Sequence, residues 1–227
     1  MRRLSLWGSL LEQINNERAN KISTAAALLA KEKCRRDPVW WLSNFVYTVK
    51  SHREKGEAAI QPFPIARPYC REVVNTWVEN PIIHIIKSRQ MSITWISMAM
   101  LLWEAQFEDY ALCVVINKKL DDAINNGISR AKLIYNNQPQ WLKNLCPLDR
   151  KMRDMPKDCL TFKNGSKIQA LPEGPDQVRS LVPTTAVIDE AAFQEQLEAT
   201  YSACVPCCAR IVTVSSAGPG FFERLCK

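Results

Sequence analysis

No stretch of the sequence holds about 18 consecutive uncharged apolar residues, the length a helix needs to cross a bilayer, so no transmembrane helix is expected. Arg2 and Arg3 follow Met1, but no apolar run of secretory length follows them, and the expectation is an intracellular protein with no membrane partner. The nine cysteines are odd in number, which excludes a fully paired disulfide framework. The segment Cys204 to Cys208 contains a CxxC, yet the second CxxC or His pair that would complete a zinc site is missing nearby. Most cysteines are therefore expected to be small buried apolar residues. No internal repeat and no low-complexity tract is present. Acid is also in short supply: 23 Asp and Glu stand against 30 Lys and Arg, a formal charge of +7 that suits an anionic partner such as nucleic acid, or simply a solvated Lys-rich face.

What is there is enough for a sizeable core, since 47% of the 227 residues are hydrophobic. Residues 10–36 have helical spacing and composition, with one or two helices expected, the second running through Ala25 to Ala30. Pro38 should open a new element, and the aromatic-rich stretch to Tyr47 reads as a helix packed on a core. Residues 50–56 are charged and read as a loop. Pro62 to Pro68 should lack regular structure, because three prolines there remove donors and fix φ. A helix from Tyr69 to about Glu79 should follow.

Ile82 to Ile86 is an apolar, β-branched run of strand length and predicts a buried parallel strand. Trp95 to Trp103 then reads as a buried helix, Ala111 to Ile116 as a second buried strand, and about Leu120 to Tyr135 as a polar-faced helix. Leu160 to Leu171 carries an Asn-Gly turn between alternating segments, the signature of a β-hairpin. Thr185 to Ile188 and Arg210 to Val214 complete a set of buried strands. The alternation of strand and helix signals an α/β protein.

Three constellations carry chemistry. A phosphate loop needs a strand, a loop whose N–H groups converge on phosphates, and a helix N-terminus with its partial positive charge. The segment Lys87, Ser88, Arg89, Gln90, Met91, Ser92, Ile93, Thr94 lies in that order. The usual pattern ends in Gly, Lys and Ser or Thr, the Lys reaching the terminal phosphates and the hydroxyl binding Mg²⁺. Here Thr94 keeps its place while Ser92 replaces the Gly and Ile93 the Lys, so the positive charge must come from Lys87 and Arg89 at the front of the loop. A basic strand-to-helix turn without a ligand is the plainer alternative.

The second constellation is Val187, Ile188, Asp189, Glu190, an apolar strand ending in two acids. At the carboxyl end of a parallel strand the first acid can hold Mg²⁺ through its hydration shell and the second can orient and deprotonate a water. Adjacent buried carboxylates are costly without a cation, although Asp and Glu also favour an ordinary helix start. The third is Val214, Ser215, Ser216, Ala217, Gly218, where a strand ends in small hydroxyl residues that could lie near a γ-phosphate or form a plain strand-to-loop transition.

Taken in order, these motifs resemble the ATPase domain of the large terminase subunit of tailed bacteriophages, over most of the chain from about Pro38. Several terminases have a deviant Ser-Arg-Gln-x-Gly-Lys-Thr loop and others move the lysine to the front; Lys87 to Thr94 looks like the second type with the Ser-Arg-Gln of the first. The resemblance implies a three-layer P-loop NTPase of the ASCE, RecA-like kind, with a mainly parallel central sheet and an N-terminal helical appendage. It implies a helical region over 1–56, an ATPase core over 57–227, and no nuclease domain within this chain. Lys87 would be the displaced phosphate lysine, Arg89 the arginine acting in cis, Thr94 and Asp189 the Mg²⁺ ligands and Glu190 the base. Ser215, Ser216 and Ala217 would couple hydrolysis to DNA.

Upstream, Pro62 to Cys70 resembles the family's adenine-binding segment, with Tyr69 toward the nucleotide and Cys70 where a Gln is common. Val178 to Leu181 is similar to the Arg-Gly turn before the acidic strand, and Asn117 to Lys119 to the loop after the second strand. The departures are Ser92, whose side chain resists the positive φ a tight loop wants, and Cys70. ATP and Mg²⁺ as cofactors follow from the resemblance. So do double-stranded DNA, a portal protein and a small terminase subunit as partners, a homo-oligomeric ring, and the host cytoplasm as the place of action. Two other readings stay open: a superfamily 2 helicase-like ATPase, which would need a second motor domain, and a non-catalytic nucleotide-binding or assembly module.

Overall fold

The computed structural model describes residues 23–50 and 58–227. The first of the helices expected over 10–36 and the loop expected over 50–56 fall largely or wholly outside the described residues. Helix α1, Thr24–Arg36, is capped by Ser23, whose side chain accepts from the Ala26 N–H, and it ends on Lys33, Arg35 and Arg36, cations that suit the negative end of a helix. Ala26, Ala30 and Cys34 recur every four residues and make the buried stripe. Asp37 then caps α2, Pro38–Phe45, by accepting from Trp40 N–H at 2.8 Å, and Pro38 takes the first helical position, where no donor is lost.

A short antiparallel ribbon follows, β1 (Tyr47–Val49) paired with β2 (Ile60–Pro62). The three prolines predict irregular chain from Pro62; Pro62 closes β2 instead, at a strand end where its missing N–H costs nothing. Helix α3 spans Pro68–Glu79 and leads into β3, Ile82–Ile86. Helix α4, Ile93–Phe107, begins two residues before the predicted start, so that Thr94 lies in its first turn, and it is buried on almost every side. Then come β4 (Leu112–Asn117) and a helical stretch made of α5 (Leu120–Ala123), a π-turn (Ile124–Ile128) and α6 (Ser129–Asn137). The sequence predicts one continuous helix there; the wider π-turn interrupts it. After α7 (Gln140–Leu145) come β5 (Cys159–Thr161) and β6 (Lys167–Pro172), joined as the predicted hairpin with Gly165 at φ +83° in the turn. The remaining elements are α8 (Pro175–Arg179), β7 (Thr185–Asp189), α9 (Leu197–Cys204), β8 (Arg210–Ser215) and α10 (Phe221–Leu225).

Six strands form one sheet in the order β3-β8-β7-β4-β6-β5, all neighbours parallel except β5, which runs antiparallel to β6. The two faces are covered by separate apolar cores. Cys113, Val115, Val187 and Val212 face α1 to α4 and α6, while their alternates Val114, Ile116, Ile188 and Ile211 face α9 and α10. The result is a three-layer α/β fold. One strand departs from its prediction: β3 pairs only with β8 among the described residues and stands at the sheet edge, with Ile82 48% and Ile86 56% exposed. An apolar run signals a strand but not whether both its sides are occupied.

This arrangement brings the carboxyl ends of β3, β8 and β7 side by side. The loop after β3 and the acids after β7 are separated by one strand, β8, and both open at the edge of the sheet where ligands of open α/β folds bind.

Candidate nucleotide site

A cleft of about 1020 Å³ opens there. One wall is the segment from Lys87 to Thr94, of which Lys87 and Arg89 to Thr94 line the space. Opposite are Glu190, Ser216 and Ala217, and a third side comes from the β1–β2 ribbon with Pro64 and Arg67 behind it.

The loop is held from both ends. Its first N–H, that of Lys87, donates to the Ser215 carbonyl at 2.9 Å, extending the β3–β8 ladder by one residue. Near its end, the Tyr69 hydroxyl donates to the Met91 carbonyl at 3.0 Å and accepts from Arg67 at 3.1 Å. Tyr69 thus braces the loop from behind, while Arg67 lines the cleft. Cys70 points into the core, fully buried. Gln90 and Ser92 stand at φ 65° and 60°, in the left-handed region, which costs a side-chain-bearing residue about 1 kcal/mol or more each. Strain of this kind persists only where the surroundings enforce it.

Ile93, at the place of the usual loop lysine, is 2% exposed and packs into the core beneath the loop. The position is an anchor, and no cation could occupy it without desolvation. Lys87 is the cation that reaches the acids: its Nζ donates to Glu190 Oε1 at 2.9 Å, the lysine side chain 8% and the glutamate 40% exposed. Glu190 itself sits at φ 52°, ψ 41°, so the chain turns sharply as it leaves β7 and aims this side chain into the cleft.

Behind it, Asp189 is buried at the end of β7 and accepts from Thr94 Oγ1 at 3.3 Å. Burial and the neighbouring Glu190 carboxylate push its carboxyl up to about 6, against the pull of Lys87 and Arg130. The Gln194 side chain donates to the Asp189 carbonyl at 2.9 Å and pins the strand end. Ser215 is also buried: its hydroxyl accepts from the Ala192 N–H at 3.0 Å, so it ties β8 to the turn after Glu190 and does not face the cleft. Ser216 and Ala217 do.

Other residues singled out in the sequence lie elsewhere. Arg179 is exposed on α8 and pairs with Asp176, away from the cleft lining, and Lys118 pairs with Glu195 at the end of β4. Three contributors had no sequence signal: the β1–β2 ribbon, the exposed Phe193 at the rim, and Arg130, whose guanidinium lies over the Trp95 ring at 5.1 Å and lines the cleft. The Cys204 to Cys208 cluster is remote from this cleft and holds Cys207 and Cys208 with sulfurs 3.8 Å apart. No group of three or more metal-ligating side chains, and no helix long and apolar enough to cross a membrane, occurs among the described residues.

Helices on both faces of a mainly parallel sheet, with a strand-loop-helix at one edge and a strand-end acid pair one strand away, make a three-layer α/β fold of the kind that P-loop NTPases have. The solved structures place the fold more narrowly. The large terminase of bacteriophage HK97 superposes with a TM-score of 0.55 at 12% identity, over 81% of this chain and 38% of that one. The large terminase of a thermophilic bacteriophage in complex with ADP is also similar, with a TM-score of 0.46 at 13% identity over 65% of this chain and 38% of that one. So is a mutant ATPase domain of the Thermus phage P74-26 large terminase, with a TM-score of 0.45 at 13% identity over 63% of this chain and 62% of that one. The chain thus has the fold found in the HK97 large terminase and spans about two fifths of that protein's length. No family model and no curated protein sequence matches it.

Proposed function

We propose that this chain is the ATPase motor domain of a terminase large subunit, hydrolysing ATP to drive double-stranded DNA into a viral procapsid. The observation that carries the reading is the meeting of Lys87 with Glu190 and of Thr94 with Asp189 around one cleft, on the fold of a large terminase.

The residues divide the work by position. Loop N–H groups and the first turn of α4 offer donors and partial positive charge to phosphates. Lys87 supplies the fixed charge at the loop's front, and Arg89, exposed on the loop, closes over the terminal phosphate. Thr94 and Asp189 are the oxygen donors that would hold Mg²⁺; two protein ligands fit an ion that keeps waters and phosphate oxygens for its other positions, and a buried carboxylate with a raised affinity for protons is suited to a cation. Bound there, the ion would neutralise charge developing on the phosphates. Glu190 is the base. Its ion pair with Lys87 holds both groups in a resting pose; when Lys87 turns to phosphate, the carboxylate is released to take a proton from the attacking water.

The formal charge of +7 supports contact with DNA phosphates without sequence reading. A portal protein, a small terminase subunit and a homo-oligomeric ring acting in the host cytoplasm belong to the same proposal. So does the division into a helical region over 1–56 and an ATPase core over 57–227.

The test is Mg²⁺-dependent ATPase activity of the wild type beside Lys87→Ala, Arg89→Ala and Glu190→Gln. Turnover in the wild type and its loss in all three is expected. Equal rates in the four proteins would sink the assignment, and binding without turnover in the wild type would favour a non-catalytic nucleotide-binding module.

A further inference from the structure

Arg130 is a cation at the cleft that forms no direct ion pair among the described residues. It is partly buried on α6, and burial lowers its hold on its proton, partly offset by the carboxylates of Asp189 and Glu190. A guanidinium has five N–H donors, yet among the described residues its hydrogen bonding is one long contact, 3.4 Å to Asn126, and no ion pair is formed. Its guanidinium carbon lies over the ring of Trp95, one residue beyond Thr94. Arg130 lines the cleft, on the same space as Lys87, Arg89 and Thr94.

The position is built. In a regular helix from Leu120, residue 130 would be turned by about 100° from where it stands, since the π-turn over Ile124–Ile128 inserts one residue into the count. Gly127, within that turn, lies close against the sheet: a Cβ on it would come within 2.8 Å of Val115 Cγ1 and 3.5 Å of Met98 Sδ. The wider turn and the missing side chain together let α6 run close to α4 with Arg130 facing Trp95. A partly desolvated cation that no carboxylate touches directly is stabilised further by an anion that does.

We propose that Arg130 is a further binding residue for the terminal phosphates of the nucleotide, a third cation beside Lys87 and Arg89. It supplies from the neighbouring helix the charge that buried Ile93 cannot. The inference rests on the nucleotide reading above. The fork of the guanidinium, held over the Trp95 ring, suits two oxygens of one phosphate or one oxygen from each of two. The Asp189 and Glu190 carboxylates act on it only through space, and a phosphate in the cleft could contact it directly.

The experiment is the affinity of the wild type, Arg130→Ala, Arg130→Gln, Arg130→Lys and Lys87→Ala for ATP, ADP and AMP with Mg²⁺, read by calorimetry. Arg130→Ala and Arg130→Gln should weaken ATP about ten- to hundredfold while leaving AMP within about twofold, and Arg130→Lys should fall between. The Gln variant keeps two of the three methylenes of the stem and a polar end, and guards against collapse of the helix contact. Equal losses for ATP and AMP in both variants would mean a structural role and overturn the inference. So would unchanged ATP affinity in Arg130→Gln while Lys87→Ala loses it, in which case the parent reading stands alone. A wild type that binds none of the three nucleotides would overturn both.

Discussion

Lys87 and Glu190, 103 residues apart in sequence, meet at 2.9 Å across the mouth of the cleft, the lysine nearly buried and the glutamate partly open. In the absence of nucleotide each is the other's counter-charge. Any phosphate that takes Lys87 must first displace a carboxylate, and must then lie beside it.

Glu190→Gln should therefore bind ATP more tightly than the wild type, by several-fold, because it removes both the competitor for Lys87 and a like charge beside the phosphates. Turnover should fall by a factor on the order of 10² to 10⁴ with the loss of the base. Calorimetry and a phosphate-release assay on the same preparations check both halves. Weaker binding in the variant would show that the pair does not compete with nucleotide.

Moving the lysine to its usual place should fail. Ile93→Lys puts an ammonium where the side chain is 2% exposed and packed in the core, and a stability loss of roughly 3 kcal/mol or more is expected, with no gain in nucleotide affinity even in a Lys87→Ala background. Urea denaturation and nucleotide titration measure the two effects. Rescue of Lys87→Ala by Ile93→Lys would mean that the loop can rearrange around a buried cation.

Ser92→Gly relieves a left-handed residue at the N-cap of α4. A gain of about 1 kcal/mol, or about 2–4 °C in Tm, is expected for a domain of this size. The increase should be smaller if greater freedom in the unfolded chain offsets the relief. A drop in Tm would mean that the serine side chain stabilises the loop by more than its strain costs.

Asp189 gives the pH dependence. Its carboxyl is raised from 3.8 to about 6 in the fold, so the stabilising effect of its proton is fully present below 3.8 and is lost as pH rises through about 6. Above that the ionised group costs about 3 kcal/mol, about two units at 1.36 kcal/mol each. Without nucleotide, Asp189→Asn should be more stable than the wild type at pH 7.5 by roughly 1–3 kcal/mol, with the difference shrinking toward pH 4. Chemical denaturation at the two pH values checks this. A less stable variant at pH 7.5 would mean that the carboxylate is already compensated.

Much of the fold was legible because its central strands β4, β7 and β8 are buried on both faces. Val114, Val187 and Val212 sit in strand-length, β-branched and mostly apolar runs of the kind that interior sheet strands carry, and the Asn164-Gly165 pair marks its hairpin directly. Edge and ribbon were harder. Ile82 and Ile86 look interior but stand beside a free sheet edge, and β1 and β2, three residues each and ending on Pro62, carry no alternation long enough to register. In the site, the basic loop and the acid pair could be named from local chemistry. Their meeting could not, since Thr94 and Asp189 are joined by the sheet order alone. Arg130 left no trace because its direction depends on a π-turn and on the space that Gly127 leaves.

Ser215 touches both halves of the cleft through different atoms: its carbonyl accepts from Lys87 N–H and its hydroxyl from Ala192 N–H. The loop and the acid turn are thus geared through a single residue on the strand between them. With β3 unsupported on its other side among the described residues, a small slide of β8 along the sheet would swing Lys87 and the turn bearing Glu190 together, as one hinge moves two doors.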